Sequence, residues 1–309
     1  MLMQFRQEHI YISNKKKSQK GFIQFMKEYF KLSEPYFPET INRVDEMYDM
    51  FISGSDQIWN PIITNGDRNY FLQFAKPYKR YSYAASFGTT DTDGFIEKVS
   101  PLINEYQSLL VREQSAKDTI EKVCLNKECN VVLDPVFLLN KEKWISELHL
   151  DEGHEKYVFV YLVASQHYLI EYAKKVAEKE NLKILYVSPY AGSNVPEGVM
   201  NRNDVGPKDF LEILLGATFV LTTSFHALAF SLIFNIPFMY ELDSSARNNN
   251  SRLENIERVF GFNRRITQDT SIDKYRETID WNRINTLMEA EIIKSKALIN
   301  SALFIIKNV

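Results

Sequence analysis

Apolar and polar positions along the chain fall into short blocks of two kinds, one with helical spacing and one with the density of buried strands. Within a polar first fifty residues, positions 21–32 set Phe22, Ile23, Phe25, Met26, Tyr29 and Phe30 on roughly one side of a helix. The texture then changes. Residues 48–53 and 79–86 read as strands that end in the turns Gly54-Ser55-Asp56-Gln57 and Phe87-Gly88. Residues 95–106 suit a helix, 108–112 a short strand, and a helix is expected from about Ser115. A further strand, 130–133, is closed by Asp134-Pro135. The stretch 140–156 is polar and reads as a linker.

After it the pattern restarts. Strand 157–164, helix 168–180 and strand 183–188 lead into a long loop, 189–207, rich in Gly, Asn and Pro, of the sort that lines a site. Pro207 fits the first turn of a helix to about Leu215. Strand 218–222, helix 225–234, strand 237–240 and helices 252–260 and 281–305 complete the reading. Strands alternating with helices predict parallel sheets covered by helices. Two such runs predict an α/β protein of two Rossmann-like lobes, 1–145 and 146–309, the second carrying the terminal helices. The sequence has no fixed-period repeat and no low-complexity tract.

With 309 residues, both lobes can bury cores of their own. Charged residues make up 25% and apolar residues 45%, as in ordinary globular proteins. The net charge of −3 gives no bulk electrostatic case for nucleic acid, whereas a phosphate-bearing small molecule needs only a few local cations. The run Lys15–Lys17 reads as solvated surface. Cys124 and Cys129 read as reduced thiols at the edge of a core. His9, His149, His154, His167 and His226 show no ligand spacing, so no residue is assigned to a metal; no cofactor is expected. No run approaches the roughly 18 apolar residues of a membrane span, and the first residues do not read as a secretory signal, so a cytoplasmic chain is expected.

The segment 216–237 carries the most chemistry. A strand runs almost directly into a helix, so Thr222, Thr223 and Ser224 lie at the carboxyl end of a parallel strand, where open α/β sheets bind ligands. The helix begins there, and its unpaired N–H groups favour an anion. His226, in the first turn, would sit over that anion, able to donate a proton near neutral pH. A helix-cap or core histidine is the alternative.

Ser224-Phe225-His226-Ala227, followed by Asn235-Ile236-Pro237, resembles the carboxyl-terminal signature of the polysaccharide pyruvyl transferases. Other segments agree in the family's order. They are Tyr48 to Pro61 with Gly54-Ser55-Asp56-Gln57 at its centre, Tyr83-Ala84-Ala85-Ser86-Phe87-Gly88, Val111-Arg112-Glu113-Gln114-Ser115, Leu133-Asp134-Pro135 and Ser251-Arg252-Leu253. The resemblance covers nearly all of the chain from about Tyr48.

It implies two lobes similar to the glycosyltransferase type B architecture and a reaction in which phosphoenolpyruvate gives its pyruvate unit to sugar hydroxyls as a ketal. The expected partners are phosphoenolpyruvate and a glycan acceptor. No integral membrane segment is expected, and peripheral association with a membrane-bound polysaccharide assembly system fits the reading. His226 matches the family's histidine and is expected in acid/base or donor-binding duty. Arg112 is expected to clamp the donor and Arg252 to be a second clamp, with surface pairing to Glu254 or Glu257 as the alternative. Ser55, Asp56, Gln57 and Ser224 complete the expected substrate-binding set. Asp56 suits either a general base or a turn residue, Asp134 turn chemistry, and Trp59 either a sugar platform or a core residue.

Family members typically open on an α/β unit that has no counterpart ahead of position 48, so the first lobe is expected to lack it. A nucleotide-sugar glycosyltransferase or epimerase of similar fold, and an inactive glycan-binding member, remain open beside the transferase.

Overall fold

In the computed structural model, which describes residues 2–89, 94–153, 155–189, 195–245 and 250–307, the chain opens on helix α1 (Leu2–Tyr29). Its contacts divide the molecule into two compact units. One is Met1–Ser33, Leu139–Ala246 and Phe262–Trp281; the other is Glu34–Leu138, Arg247–Gly261 and Asn282–Val309. The division is therefore not a single cut near 145, because short segments from late in the chain return to the unit built early.

In the unit built early, strands β1 (Phe51–Ser53) and β2 (Arg80–Ser82) pair in parallel. After helix α2 (Phe95–Asn104), strand β3 (Leu109–Val111), helix α3 (Gln114–Val123) and strand β4 (Cys129–Val131) follow, with β3 and β4 parallel. Isolated parallel bridges Tyr81–Ser108 and Ala85–Val111 join the two ladders, so the strands run side by side in chain order. Among the described residues β1 has only β2 as a ladder partner, and Ile52 on it is exposed.

Strand alternation sorts the side chains between two faces. Leu109 and Val111 join Ile96 and Ile103 of α2 and Ile120 of α3 in a core with Trp59, Phe71 and Phe87. Leu110 points the other way, with Tyr83 and Val132, toward Leu298 and Ile299 of the last helix, α9, described below.

The expected linker contains helix α4 (Lys141–Leu148), which corrects the reading of 140–156. Asn140 caps it by accepting from the Lys143 N–H, and Trp144 meets Phe230 edge-on at 5.1 Å. Two turns with few apolar positions are too short to register as a periodic pattern.

The second unit then builds its sheet. Its elements are β5 (Tyr157–Tyr161), α5 (Leu169–Glu180), β6 (Lys183–Val187), β7 (Met200–Asn201), α6 (Pro207–Leu215), β8 (Phe219–Thr222), α7 (Phe225–Phe234) and β9 (Phe238–Tyr240). All ladders are parallel and the order is β7-β6-β5-β8-β9. This is a mixed α/β, Rossmann-like arrangement whose order reverses between β5 and β8, the place where such sheets open a ligand crevice. Val158, Val160 and Leu221 face Leu169, Tyr172 and Val176 of α5, while Phe159 on the other face reaches Phe210 of α6. Burial on both faces explains why these strands read as continuous apolar runs.

Helix α8 (Ser251–Phe260) and most of α9 (Trp281–Lys307) belong to the early-built unit. The buried Ser295 hydroxyl of α9 accepts from the Leu133 N–H at 3.0 Å.

Candidate functional site

In the early-built unit, residues that follow the parallel strands gather at their carboxyl ends. After β1, the chain makes the turn Gly54–Gln57. A Cβ on Gly54 would lie 2.0 Å from the Tyr83 carbonyl oxygen, so only glycine lets the turn lie against the continuation of β2. Asp56 holds a left-handed backbone (φ 62°), and its carbonyl accepts from the Ser86 N–H at 2.9 Å.

After β3 comes Arg112, only 2% exposed in its side chain. Its Nη1 donates to Asp134 Oδ2 at 2.8 Å and its Nη2 to Asp56 Oδ1 at 2.9 Å. Glu113 Oε2 lies 3.8 Å from Arg112 Nε, and Glu113 Oε1 accepts from the Ser86 hydroxyl at 2.7 Å. Helix α8 brings the second guanidinium. Its Asn255 accepts from the Gln114 N–H and donates to the Arg112 carbonyl, both at 3.3 Å, gripping the backbone on either side of Glu113. One helical turn earlier, Arg252 Nη1 lies 3.8 Å from Asp56 Oδ1. The Gln57 amide oxygen, oriented toward this guanidinium, accepts from its two terminal nitrogens at 3.0 and 3.3 Å.

The two arginines sit in unlike electrostatic environments. Burial opposes the charge of Arg112, but Asp134, Glu113 and Asp56 outweigh it and hold its pKa above the ordinary value. Arg252 is 15% exposed, and burial, with the neighbouring Arg112 charge, brings its pKa down to about 10. Burial pushes the Glu113 carboxyl above its usual range despite Arg112, the Ser86 hydroxyl and Arg252.

In the other unit, the β8–α7 junction lies beside the switch in strand order. The Thr223 hydroxyl accepts from the N–H groups of Val163 and Ala164, tying down the chain beyond β5. The Thr222 hydroxyl donates to the Tyr161 carbonyl at 2.7 Å and accepts from the Ser224 N–H. Ser224 is the N-cap of α7, accepting from the Ala227 N–H at 3.4 Å. His226 is half-buried in the first turn, its ring edge-on to Phe225 at 5.2 Å.

A family model described as polysaccharide pyruvyl transferase matches residues 4–240. The chain belongs to the polysaccharide pyruvyl transferase family. No protein among curated ones matches it. Membership makes this chain a member of a transferase family and implies a glycan acceptor. No helix among the described residues is long and apolar enough to cross a membrane.

Within this pyruvyl transferase family member, five of the seven residues singled out from sequence share the early-built unit: Ser55, Asp56, Gln57, Arg112 and Arg252. Four of them are joined by the contacts above; Ser55 is partly buried beside Asp56 in the same turn. Ser224 and His226 belong to the other unit. Arg252 faces Asp56 and Gln57, in place of the alternative pairing to Glu254 or Glu257. Trp59 is wholly buried and stacked on Phe71 at 5.2 Å, a core residue and not a sugar platform. Asp134 combines its turn role, accepting from the Val136 N–H, with the ion pair to Arg112.

Sequence reasoning missed two acids. Glu113 follows Arg112 directly, and that adjacency at a strand end was the available signal. Glu241, just after β9, accepts from the backbone N–H groups of His167, Tyr168 and Leu169 at 2.6–3.3 Å and so occupies the amino end of α5. Nothing local marks it, since its partners lie more than seventy residues away. Both cysteines are buried free thiols, with Cys129 pushed up to about 12 by burial. Among the described residues, no three His, Cys, Asp or Glu side chains gather as a metal site. His154 and residues 190–194 of the expected site loop lie outside the described residues.

Proposed function

We propose that the chain transfers the pyruvate unit of phosphoenolpyruvate, as a ketal, onto hydroxyls of a cell-surface polysaccharide or its lipid-linked precursor, and that Arg252 meets the donor's anionic end. The imbalance between the two guanidiniums carries this reading. Arg112 has carboxylates at 2.8 and 2.9 Å, while Arg252 has one at 3.8 Å and a neutral amide. A desolvated cation short of counter-charge gains most from an incoming phosphate or carboxylate, and a guanidinium fork matches either. Arg112 then acts as a positioning residue that holds Asp56, whose half-exposed carboxylate, with Ser55 and Gln57, is offered to substrate hydroxyls. This reverses the order of the two arginines expected from sequence.

The chemistry balances without a redox partner. The methylene carbon of phosphoenolpyruvate takes up a proton and becomes a methyl group. Two sugar hydroxyls add at the neighbouring carbon, and the bond to phosphate breaks. One hydroxyl proton replaces that given to the methylene carbon and the other leaves with phosphate. His226 is proposed as the acid, with Ser224 keeping its helix start in place. No metal or organic cofactor takes part in the proposal; phosphoenolpyruvate is the donor substrate. The proposal includes a two-lobed architecture similar to glycosyltransferase type B and a cytoplasmic setting beside exopolysaccharide assembly. A nucleotide-sugar donor is disfavoured by Glu241, whose carboxylate already takes the α5 N–H groups that a diphosphate would need.

Thermal unfolding of the purified chain with phosphoenolpyruvate, against a panel of nucleotide sugars, tests the donor. At about a hundred times its dissociation constant the donor should add about 2.7 kcal/mol of stability. Arg252→Ala should weaken donor affinity on the order of tenfold to a hundredfold, cutting that stabilisation at the same donor concentration to about 1.4 kcal/mol or less. His226→Ala should abolish phosphate release in the presence of acceptor while leaving the melting temperature nearly unchanged. Stabilisation by a nucleotide sugar alone would replace this reading with a glycosyltransferase, and binding without turnover would replace it with a glycan-binding protein.

A further inference from the structure

Gly88 is buried at the end of the stretch that follows β2, and Gln57 rests against it. A Cβ on Gly88 would lie 1.9 Å from the end of the Gln57 amide, 2.6 Å from its Cδ and 2.8 Å from its Cγ. The amide therefore fills the space that a side chain at position 88 would take. Gly88 holds a left-handed backbone (φ 69°). Its N–H donates to the Ser86 hydroxyl at 2.9 Å, and that hydroxyl donates in turn to Glu113 Oε1 at 2.7 Å. The Ser86 N–H donates to the Asp56 carbonyl at 2.9 Å, and the Ser86 carbonyl accepts from the Trp59 N–H at 3.1 Å. Backbone on either side of Gln57 is thus fixed to the segment that seats its side chain. On its other side the amide oxygen accepts from both terminal nitrogens of Arg252 at 3.0 and 3.3 Å, closer than the 3.8 Å to Asp56.

We propose that Gly88 is a positioning residue for donor binding, a role that rests on reading Arg252 as the cation that meets the donor. Its bare α-carbon seats the Gln57 amide, and the amide holds the plane of the Arg252 fork toward the incoming anion. A guanidinium clamps an anion in two-point fashion only when its plane is held, and a hydrogen bond from behind does this. The acceptor that Gln57 offers is neutral. It fixes the fork without cancelling its charge, whereas a carboxylate in the same place would compete with the donor. The atoms that meet a side chain at position 88 belong to the Gln57 side chain and not to backbone. Alanine there displaces the amide, and the hydrogen bonds of Ser86 keep the turn itself closed.

Two measurements on the full chain test it: the rate at which phenylglyoxal modifies Arg252, read by peptide mass spectrometry, and the affinity for phosphoenolpyruvate, read by calorimetry. Gly88→Ala should speed the modification severalfold and weaken phosphoenolpyruvate binding on the order of tenfold. Gln57→Ala, which leaves the backbone alone, should do both by itself, and it carries the test if Gly88→Ala fails to fold. Added to Gln57→Ala, the Gly88→Ala change should alter neither reading further, because no amide is left to displace. Its strain at positive φ should lower the melting temperature equally in both backgrounds, which separates seating from a merely structural role. Unchanged modification of Arg252 in either single variant, or an equal further loss of affinity in the Gln57→Ala background, overturns the proposal. Modification as expected in a chain that phosphoenolpyruvate does not bind would keep the seat and strike the donor reading.

Discussion

Arg112 and Glu113 are neighbours in the chain with opposite electrostatic fates. Arg112 is surrounded by carboxylates and stays charged, whereas Glu113 is buried where its partners do not repay the loss of water, so its pKa rises. The native chain therefore keeps the Glu113 proton to higher pH than the unfolded chain does. The corresponding stability is complete below the ordinary carboxylate pKa and is lost as pH rises through the native value. Glu113→Gln, which can still accept from the Ser86 hydroxyl, should flatten that fall. Urea midpoints measured across the acid to neutral range check it, and an unchanged slope would place the pH dependence elsewhere. The residues that meet around Asp56 could be named one by one from sequence, because each falls in a short motif. The carboxylates that each arginine meets could not, because Asp56 and Asp134 reach Arg112 only through the packing of neighbouring strands.

Gly54 shows how an element can depend on one atom. Its φ of 132° and the 2.0 Å approach of an added Cβ to the Tyr83 carbonyl leave no room for a side chain, and the atom in the way is backbone. Gly54→Ala should cost more than about 2 kcal/mol and loosen the turn that carries Asp56 and Gln57. A lowered urea midpoint together with a weaker phosphoenolpyruvate response is the expected result; a variant as stable as the parent would mean that β1 slides freely past β2. The strands themselves were legible from apolar density, and helices 95–104, 169–180, 207–215 and 225–234 from their periods and caps. Helix 141–148 was not, because its structure comes from the Asn140 cap and one ring contact of Trp144 with Phe230.

The early-built unit is completed by segments from late in the chain. Arg247–Gly261 supplies Arg252 and Asn255, and Asn282–Val309 supplies Ser295, Leu298 and Ile299. A fragment ending at 145, where sequence alone suggests a boundary, would lack the partners of the Leu133 N–H and the Arg112 carbonyl and the apolar cover of Tyr83 and Leu110. Such a fragment should show no cooperative thermal transition, read by near-ultraviolet circular dichroism around buried Trp59. A sharp transition like that of the full chain would show that the late segments are dispensable.

The sequence by itself determined the α/β class, the parallel strands, the family and most of the residues at the strand ends. Those properties are written in local periodicity, in caps and in short motifs whose residues are near one another in the chain. Only the tertiary structure decided that Arg252 shares Asp56 with Arg112, that Glu113 is deeply buried, that Glu241 closes α5 and that the terminal helix returns to the early strands. Each of these rests on contacts between residues far apart in sequence, and no local pattern records the desolvation or the charge balance that distant neighbours impose.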